Sequence, residues 1–260
     1  MLLALDAGNS SITLGVFQRK KLLFSGRIPT HGPSSYRPLL SSLLCRWKVS
    51  GRKLDGVILS SVVPKATLSL KRALRGLVSS RPLILGENVK APIVNRYRIP
   101  SQVGQDRLVN AVAAYELYGG PAIVVDFGTA VTIDLVSGRR EYLGGLIVPG
   151  VEIALEALSQ RAALLPQIKL KAPKEFLGRD TVGSMRSGIF FGYSALCDGI
   201  VRQLKARFAQ KARVIATGGY SPLIAPLCRT VQIVNPILTL RGLQIIFQKK
   251  LQKKLQKKSS

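Results

Sequence analysis

The chain has 260 residues, 47% of them hydrophobic and 20% charged, with a formal net charge of +26. That apolar fraction supplies a sizeable core and excludes disorder over most of the length, while no apolar run approaches the roughly 18 to 20 residues of a bilayer-spanning helix. Cys45, Cys197 and Cys228 stand far apart and the single histidine, His31, lies in a Thr-His-Gly-Pro turn, so neither a disulfide framework, a Cys/His zinc site nor a histidine-dependent nucleophile is expected.

In chain order, Leu2–Leu5, Ile12–Phe17 and Lys21–Arg27 read as three consecutive strands joined by short turns. Met1–Asp6 meets an acid too early for a signal-peptide core and lacks a basic leader, which points to a cytoplasmic protein. Ser34 and Ser35 offer caps for a helix carrying Leu39, Leu40, Leu43, Leu44 and Trp47 at helical spacing. Gly56–Val63 is a buried strand stopped by Pro64, followed by a helix over Lys65–Leu77, a short strand at Pro82–Leu85 and a helix over Arg107–Tyr118. The order β-β-β-α-β-α-β-α predicts a mixed sheet covered by helices, not a doubly wound parallel fold.

The opening returns after Gly119-Gly120. Ala122-Ile-Val-Val-Asp126-Phe-Gly128-Thr129 parallels Leu2-Leu-Ala-Leu-Asp6-Ala-Gly8-Asn9, and deleting one residue at Asn9 aligns Ser10 with Thr129, Ile12 with Val131, Thr13 with Thr132 and Leu14 with Ile133. A strand over Glu141–Val148 and helical patterns from Val151, Met185 and Pro222 follow. Two similar domains are expected, residues 1–118 and 119–247, with the helix after Leu240 able to pack back on the first. Residues 248–260 form a basic tail carrying Lys249, Lys250, Lys253, Lys254, Lys257 and Lys258, with Phe247 just before it and Leu251 and Leu255 within it on one helical stripe. Such a segment suits a solvated helix end; contact with nucleic acid or an anionic membrane is the alternative. No aromatic or zinc-finger element accompanies the charge, which makes nucleic acid the weaker reading.

Each repeat places an aspartate at a strand end, then a glycine-bearing turn with small hydroxyl or amide side chains. Such a turn can aim backbone N–H groups at a phosphate. The aspartate is anionic like the phosphate, so a cation or a bound water must lie between them. Two such turns predict a nucleotide cleft between the domains. Neither a Walker-type loop nor a Gly-x-Gly-x-x-Gly fingerprint is present.

Asp6-Ala-Gly-Asn-Ser, Ser60-Ser-Val-Val-Pro64, Val103-Gly-Gln-Asp-Arg107, Asp126-Phe-Gly-Thr-Ala-Val-Thr132, Gly144-Gly-Leu-Ile-Val-Pro-Gly150, Gly188-Ile-Phe-Phe-Gly192 and Thr217-Gly-Gly219 occur in this order over nearly the whole chain. This set resembles the motifs of the type III pantothenate kinases. The resemblance implies an α/β fold of duplicated actin-like (ribonuclease H-like) domains, each a mixed five-stranded sheet flanked by helices. It also implies ATP-dependent phosphorylation of pantothenate, the first step of coenzyme A synthesis, by a homodimer.

Carried over residue by residue, the resemblance assigns Asp6, Ala7, Gly8, Asn9, Ser10, Ser11, Ile12 and Thr13 to the ATP phosphates, together with Thr129. Gly104, Gln105, Asp106 and Arg107 would contact pantothenate, with Asp106 as the catalytic base and Tyr97 and Thr181 as further substrate contacts. Asp126 would bind a monovalent cation, K+ or NH4+, and Mg2+ would accompany ATP. The family pattern usually has Thr where Ser10 stands and Ala where Gln105 stands; the larger Gln105 bears on substrate affinity. A kinase of another small alcohol, an actin-like assembly ATPase and an accessory transcription factor that binds DNA are the alternatives.

Overall fold

The computed structural model describes residues 1–31, 35–49, 53–78 and 80–259, so the expected cap at Ser34 lies outside the described residues. The chain divides into two compact units: Met1–Ile93 with Arg98–Glu116 and Thr239–Ser260, and Val94–Tyr97 with Leu117–Leu238.

The first unit is built on β1 (Leu2–Ala7), β2 (Ser11–Gln18), β3 (Lys21–Pro29), β4 (Gly56–Ser61) and β5 (Leu83–Ile84), in the sheet order β3-β2-β1-β4-β5. β1 pairs antiparallel with β2 and parallel with β4, the mixed pattern expected. β4 is buried along nearly its whole length because a parallel strand at the sheet centre is covered on both faces. It ends at Ser61, two residues short of the expected Val63. The Ser61 hydroxyl accepts the Val63 N–H at 3.1 Å, turning the chain into α2 (Pro64–Leu74), which opens on the proline. α2 stops before the expected Leu77, where Arg75 becomes extended.

α1 (Arg37–Arg46) and α2 cover one face over Leu3, Leu5, Leu14, Leu40, Leu59 and Leu70. The other face is closed by α3 (Gln105–Tyr118) and by α7 (Leu238–Ser259), whose Leu240, Leu243, Ile246 and Phe247 join Leu2, Ala4, Phe17 and Ile58. Phe247 packs so closely over Gly56 that a Cβ there would come within 2.1 Å of the ring.

The second unit repeats this plan with β7 (Ala122–Phe127), β8 (Ala130–Val136), β9 (Glu141–Pro149), β10 (Arg213–Thr217) and β11 (Ile233–Val234). Its order, β11-β10-β7-β8-β9-β6, has one strand more than the five expected, because β6 (Val94–Asn95) pairs parallel with the outer edge of β9. Two residues give no periodic signal. The repeat reaches the register itself: Asp6 faces Thr13 and Asp126 faces Thr132, and both second-to-third strand ladders shift at the same step, Val16/Phe17 and Leu135/Val136.

α4 (Val151–Arg161) and α5 (Thr181–Arg207) pack over this sheet. α5 starts before the expected Met185 because the Asp180 carboxylate accepts the Gly183 N–H at 2.7 Å. The pattern from Pro222 yields only α6 (Ser221–Ile224) and a 3-10 turn at Ala225–Leu227. No helix among the described residues is long and apolar enough to cross a membrane.

Lys249 in α7 is paired with Glu116 at 3.0 Å, both partly buried. Deleting residues 250–260 is therefore expected to leave the unfolding midpoint and catalysis unchanged within error. Extending the cut through Lys249 is expected to cost no more than about 1 kcal/mol. Thermal unfolding of both truncations checks this; lost activity in the shorter truncation with the fold retained would give the tail a functional part.

Candidate active site

In the first unit, residues 8–10 join β1 to β2. Gly8 N–H donates to Ser11 O at 3.1 Å, closing a turn whose tip, Asn9 and Ser10, is exposed. The turn is held from outside: Thr30 Oγ1 donates to Gly8 O at 2.7 Å and Thr30 N–H to Ser10 O at 3.3 Å. Ala7, Ile12 and the rest of the apolar positions face the core, while Asp6 and Thr13, in register, are only partly covered. The turn thus offers backbone N–H groups and short polar side chains on a rigid base.

α3 begins two residues before the expected Arg107, which places Asp106 inside its first turn. There a negative charge is favoured by the helix N-terminus. Asp106 Oδ1 accepts the Arg107 N–H at 2.8 Å and lies so near Gly104 that a Cβ on that glycine would come within 2.4 Å of it. Arg107 is buried and Gln105 packs against Gly86. Val62 joins this helix start to the Asp6 turn: its N–H donates to Ala7 O at 3.1 Å, and its side chain lies 3.5 Å from a Cβ position on Gly104. Residues 6–13 and 104–107 are therefore two ends of one local framework. Val62 was not singled out by charge or hydroxyl chemistry; its place in the Ser60–Pro64 motif was its only signal.

In the second unit, Thr129 sits in the turn between β7 and β8, backed by Gly150 at the start of α4. A Cβ on Gly150 would lie 2.0 Å from Thr129 O and 2.6 Å from Gly128 O. Gly218 follows β10 with φ +91°, and a Cβ there would lie 2.4 Å from Asp126 Oδ1. Asp126 is thus cradled by the Thr217-Gly-Gly219 segment, and Tyr220 N–H donates to Phe127 O at 3.1 Å.

Tyr97 follows β6 and packs on Tyr142 (ring centroids 6.3 Å apart) and beside Gly144. Tyr142 in turn donates its hydroxyl to the buried Asp134 carboxylate at 2.9 Å, which also accepts from Thr132 Oγ1 at 3.1 Å. Asp134 and Tyr142 are support residues missed in the sequence. Thr181 is exposed in the first turn of α5.

The fold also brings together Cys197 and Cys228, which sequence spacing kept apart. Their sulfurs and an Asp198 oxygen lie within 4.8 Å of one another. The hydrogen bond between the thiols and their burial push the Cys197 thiol far up, so it stays protonated. Burial raises the Asp198 carboxyl, but the Thr230 hydroxyl and the Arg229 and Thr230 N–H groups outweigh it and hold it below the usual range. These contacts bind the loop after the 3-10 turn to α5, a structural task. A groove of about 840 Å³ along α5, lined by Phe176, Gly188, Phe191, Gly192, Asp198 and Arg229 among others, contains none of the residues assigned above.

Two units of repeated topology, each with an aspartate at the end of its first strand before a glycine turn, define the class: the fold of actin-like ATPases and of ROK and sugar kinases. The activator of 2-hydroxyisocaproyl-CoA dehydratase from Clostridium difficile with bound ADPNP is similar at a TM-score of 0.59 and 11% identity, over 99% of this chain and 97% of that one. The ROK hexokinase from Thermus thermophilus gives 0.52 and 15%, over 97% and 99%. The family model for type III pantothenate kinase matches residues 2–203, and the chain belongs to that family. Proteins named type III pantothenate kinase from Halalkalibacterium halodurans and Moorella thermoacetica are each 42% identical over 252 residues, covering 96% of this chain and 99% of theirs.

Proposed function

We propose that this protein transfers the γ-phosphoryl group of ATP to the primary alcohol of pantothenate, giving 4'-phosphopantothenate in the first step of coenzyme A synthesis. Family membership supports the reaction, and the observation that carries the chemistry is the start of α3. There the Asp106 carboxylate accepts the N–H of the buried Arg107, the next residue of the helix, on the framework that also holds the Asp6 turn.

A primary alcohol is a weak nucleophile, and phosphoryl transfer depends on positioning and charge neutralisation. Asp106 accepts a hydrogen bond from the alcohol, orients its oxygen toward the γ-phosphorus and takes its proton as the new O–P bond forms and the bond to ADP breaks. Arg107 binds the pantothenate carboxylate through its planar fork. Gly104 and Gln105 line the same contact, with Tyr97 and Thr181 as further substrate contacts. Residues 6–13 and Thr129 hold the ATP phosphates. Asp126 would hold K+ or NH4+, which would supply positive charge to offset the charge of the phosphates, and Mg2+ would accompany ATP. The working form is a cytoplasmic homodimer.

Arg107→Ala is expected to raise the pantothenate KM by about ten- to a hundredfold with a smaller change in kcat, because it removes a contact made in the ground state as well as the transition state. A coupled ADP-release assay with pantothenate and with other small hydroxy acids tests the whole assignment. Preference for a different alcohol would reassign the substrate, and no ATP turnover with any of them would remove the kinase reading.

A further inference from the structure

Two hydroxyls have no part in the assignments above. Ser60 and Thr217 are 0% and 1% exposed, and neither Ser60 Oγ nor Thr217 Oγ1 makes a hydrogen bond within the protein. A buried hydroxyl without a partner forfeits its hydration with nothing in return, and the great majority of such groups in folded proteins are satisfied.

These two are not scattered. The β1–β4 register sets Ser60 opposite Asp6, and the β7–β10 register sets Thr217 opposite Asp126. In-register residues on neighbouring strands project from the same face of a sheet. Each unit therefore presents the same pair at the same place, a strand-end carboxylate and an unsatisfied hydroxyl on the parallel neighbour. On the other side of Asp126, Thr132 is already engaged with Asp134. The Gly218 backbone confines Asp126 Oδ1, leaving Thr217 as the flanking strand hydroxyl with no internal partner.

A carboxylate oxygen beside a hydroxyl oxygen is an all-oxygen donor set, which suits hard cations. We propose that Thr217 donates its hydroxyl oxygen to the monovalent-cation site of Asp126. In the same proposal, Ser60 holds, beside Asp6, a water of the hydrated divalent cation that accompanies ATP. The Thr217 half rests on the assignment of Asp126 to the monovalent cation. Both hydroxyls act as positioning residues, and the duplicated fold explains why each unit carries one.

The decisive measurement is the unfolding midpoint of the substrate-free protein in K+ against tetramethylammonium at matched ionic strength, titrated in K+. The wild type is expected to be stabilised by K+, and Asp126→Asn to lose that response. Thr217→Val is nearly isosteric and removes an unsatisfied polar atom. Its midpoint in tetramethylammonium should equal or exceed the wild-type value, while the K+ concentration for half the shift rises at least about tenfold. Thr217→Ser should restore it, and Thr217→Ala should repeat the valine result if the valine variant fails to fold.

A wild-type K+ response in Thr217→Val, alongside a lost response in Asp126→Asn, overturns the Thr217 role and leaves the Asp126 assignment standing. An unchanged response in both variants, or none in the wild type, overturns the two together. For the other unit, calorimetry of a non-hydrolysable ATP analogue should show that Ser60→Ala weakens binding severalfold with Mg2+ and not without it. Equal weakening under both conditions, or none under either, overturns the Ser60 role.

Discussion

Asp106→Asn is expected to lower kcat by about a hundredfold or more, the usual scale for losing a general base. The amide matches the carboxylate in size and its oxygen can still accept the Arg107 N–H, so the helix start and the Val62 link should persist. It cannot take the alcohol proton. ATP binding, measured by calorimetry, should stay near wild type, and single-turnover rates should carry the loss. Wild-type turnover in this variant would reduce Asp106 to a first-turn helix acid and move the base elsewhere, with Asp6 the next carboxylate on the same framework.

Gly150→Ala should act through a different route. Gly150 has φ −73° and ψ 165°, a backbone conformation open to any residue, so the penalty is steric alone. The added methyl would meet Thr129 O and Gly128 O, which are backbone atoms that cannot rotate aside as a side chain could. The turn must move or α4 must shift. Overpacking of this kind costs about 1–3 kcal/mol and occasionally more, and the displaced Thr129 should raise the ATP KM by about tenfold or more. Gly199→Ala is the control: nothing lies within 4 Å of a Cβ there, and alanine in a helix interior is favoured over glycine by about 1 kcal/mol. A wild-type midpoint and ATP KM in Gly150→Ala would show that the Thr129 turn does not lean on Gly150.

Much of this architecture was legible because the repeat could be aligned residue by residue. The alignment matches Thr13 with Thr132, and each pairs in register with the aspartate of its own sheet. Alternating or continuous apolar runs marked β1, β2, β4, β7 and β8, and Pro64, read as the strand's stop, proves to be the first residue of α2. α3 and α5 start before the expected Arg107 and Met185, since the first apolar-periodic position is easier to see than the polar turn residues that precede it. The short strand expected at Pro82–Leu85 is β5, whereas β6 and β11 have two residues each, too few for a period, and only pairing partners define them. At the candidate site, the polar and charged motif residues were visible as chemistry. Val62, Gly150, Gly218 and the Asp134–Tyr142 pair were not, because they act by shape or by supporting another residue.

The sequence by itself determined most of the longer strands and helices, though not β10, that the opening strand-turn-strand unit occurs twice, and where the carboxylates and glycines of each turn fall. Those properties are local: side-chain period, turn residues and spacing act within a few positions of the chain. Tertiary structure alone decided what lies beside what. It set α7 against Leu2, Ala4 and Ile58, placed Cys197 next to Cys228, and ran Val62 from the Asp6 turn to Gly104. It also left Ser60 and Thr217 buried beside Asp6 and Asp126 without internal partners. Such neighbours are distant in sequence and are selected by close packing over the whole unit, where a single misplaced methyl is felt, so no window of residues can display them.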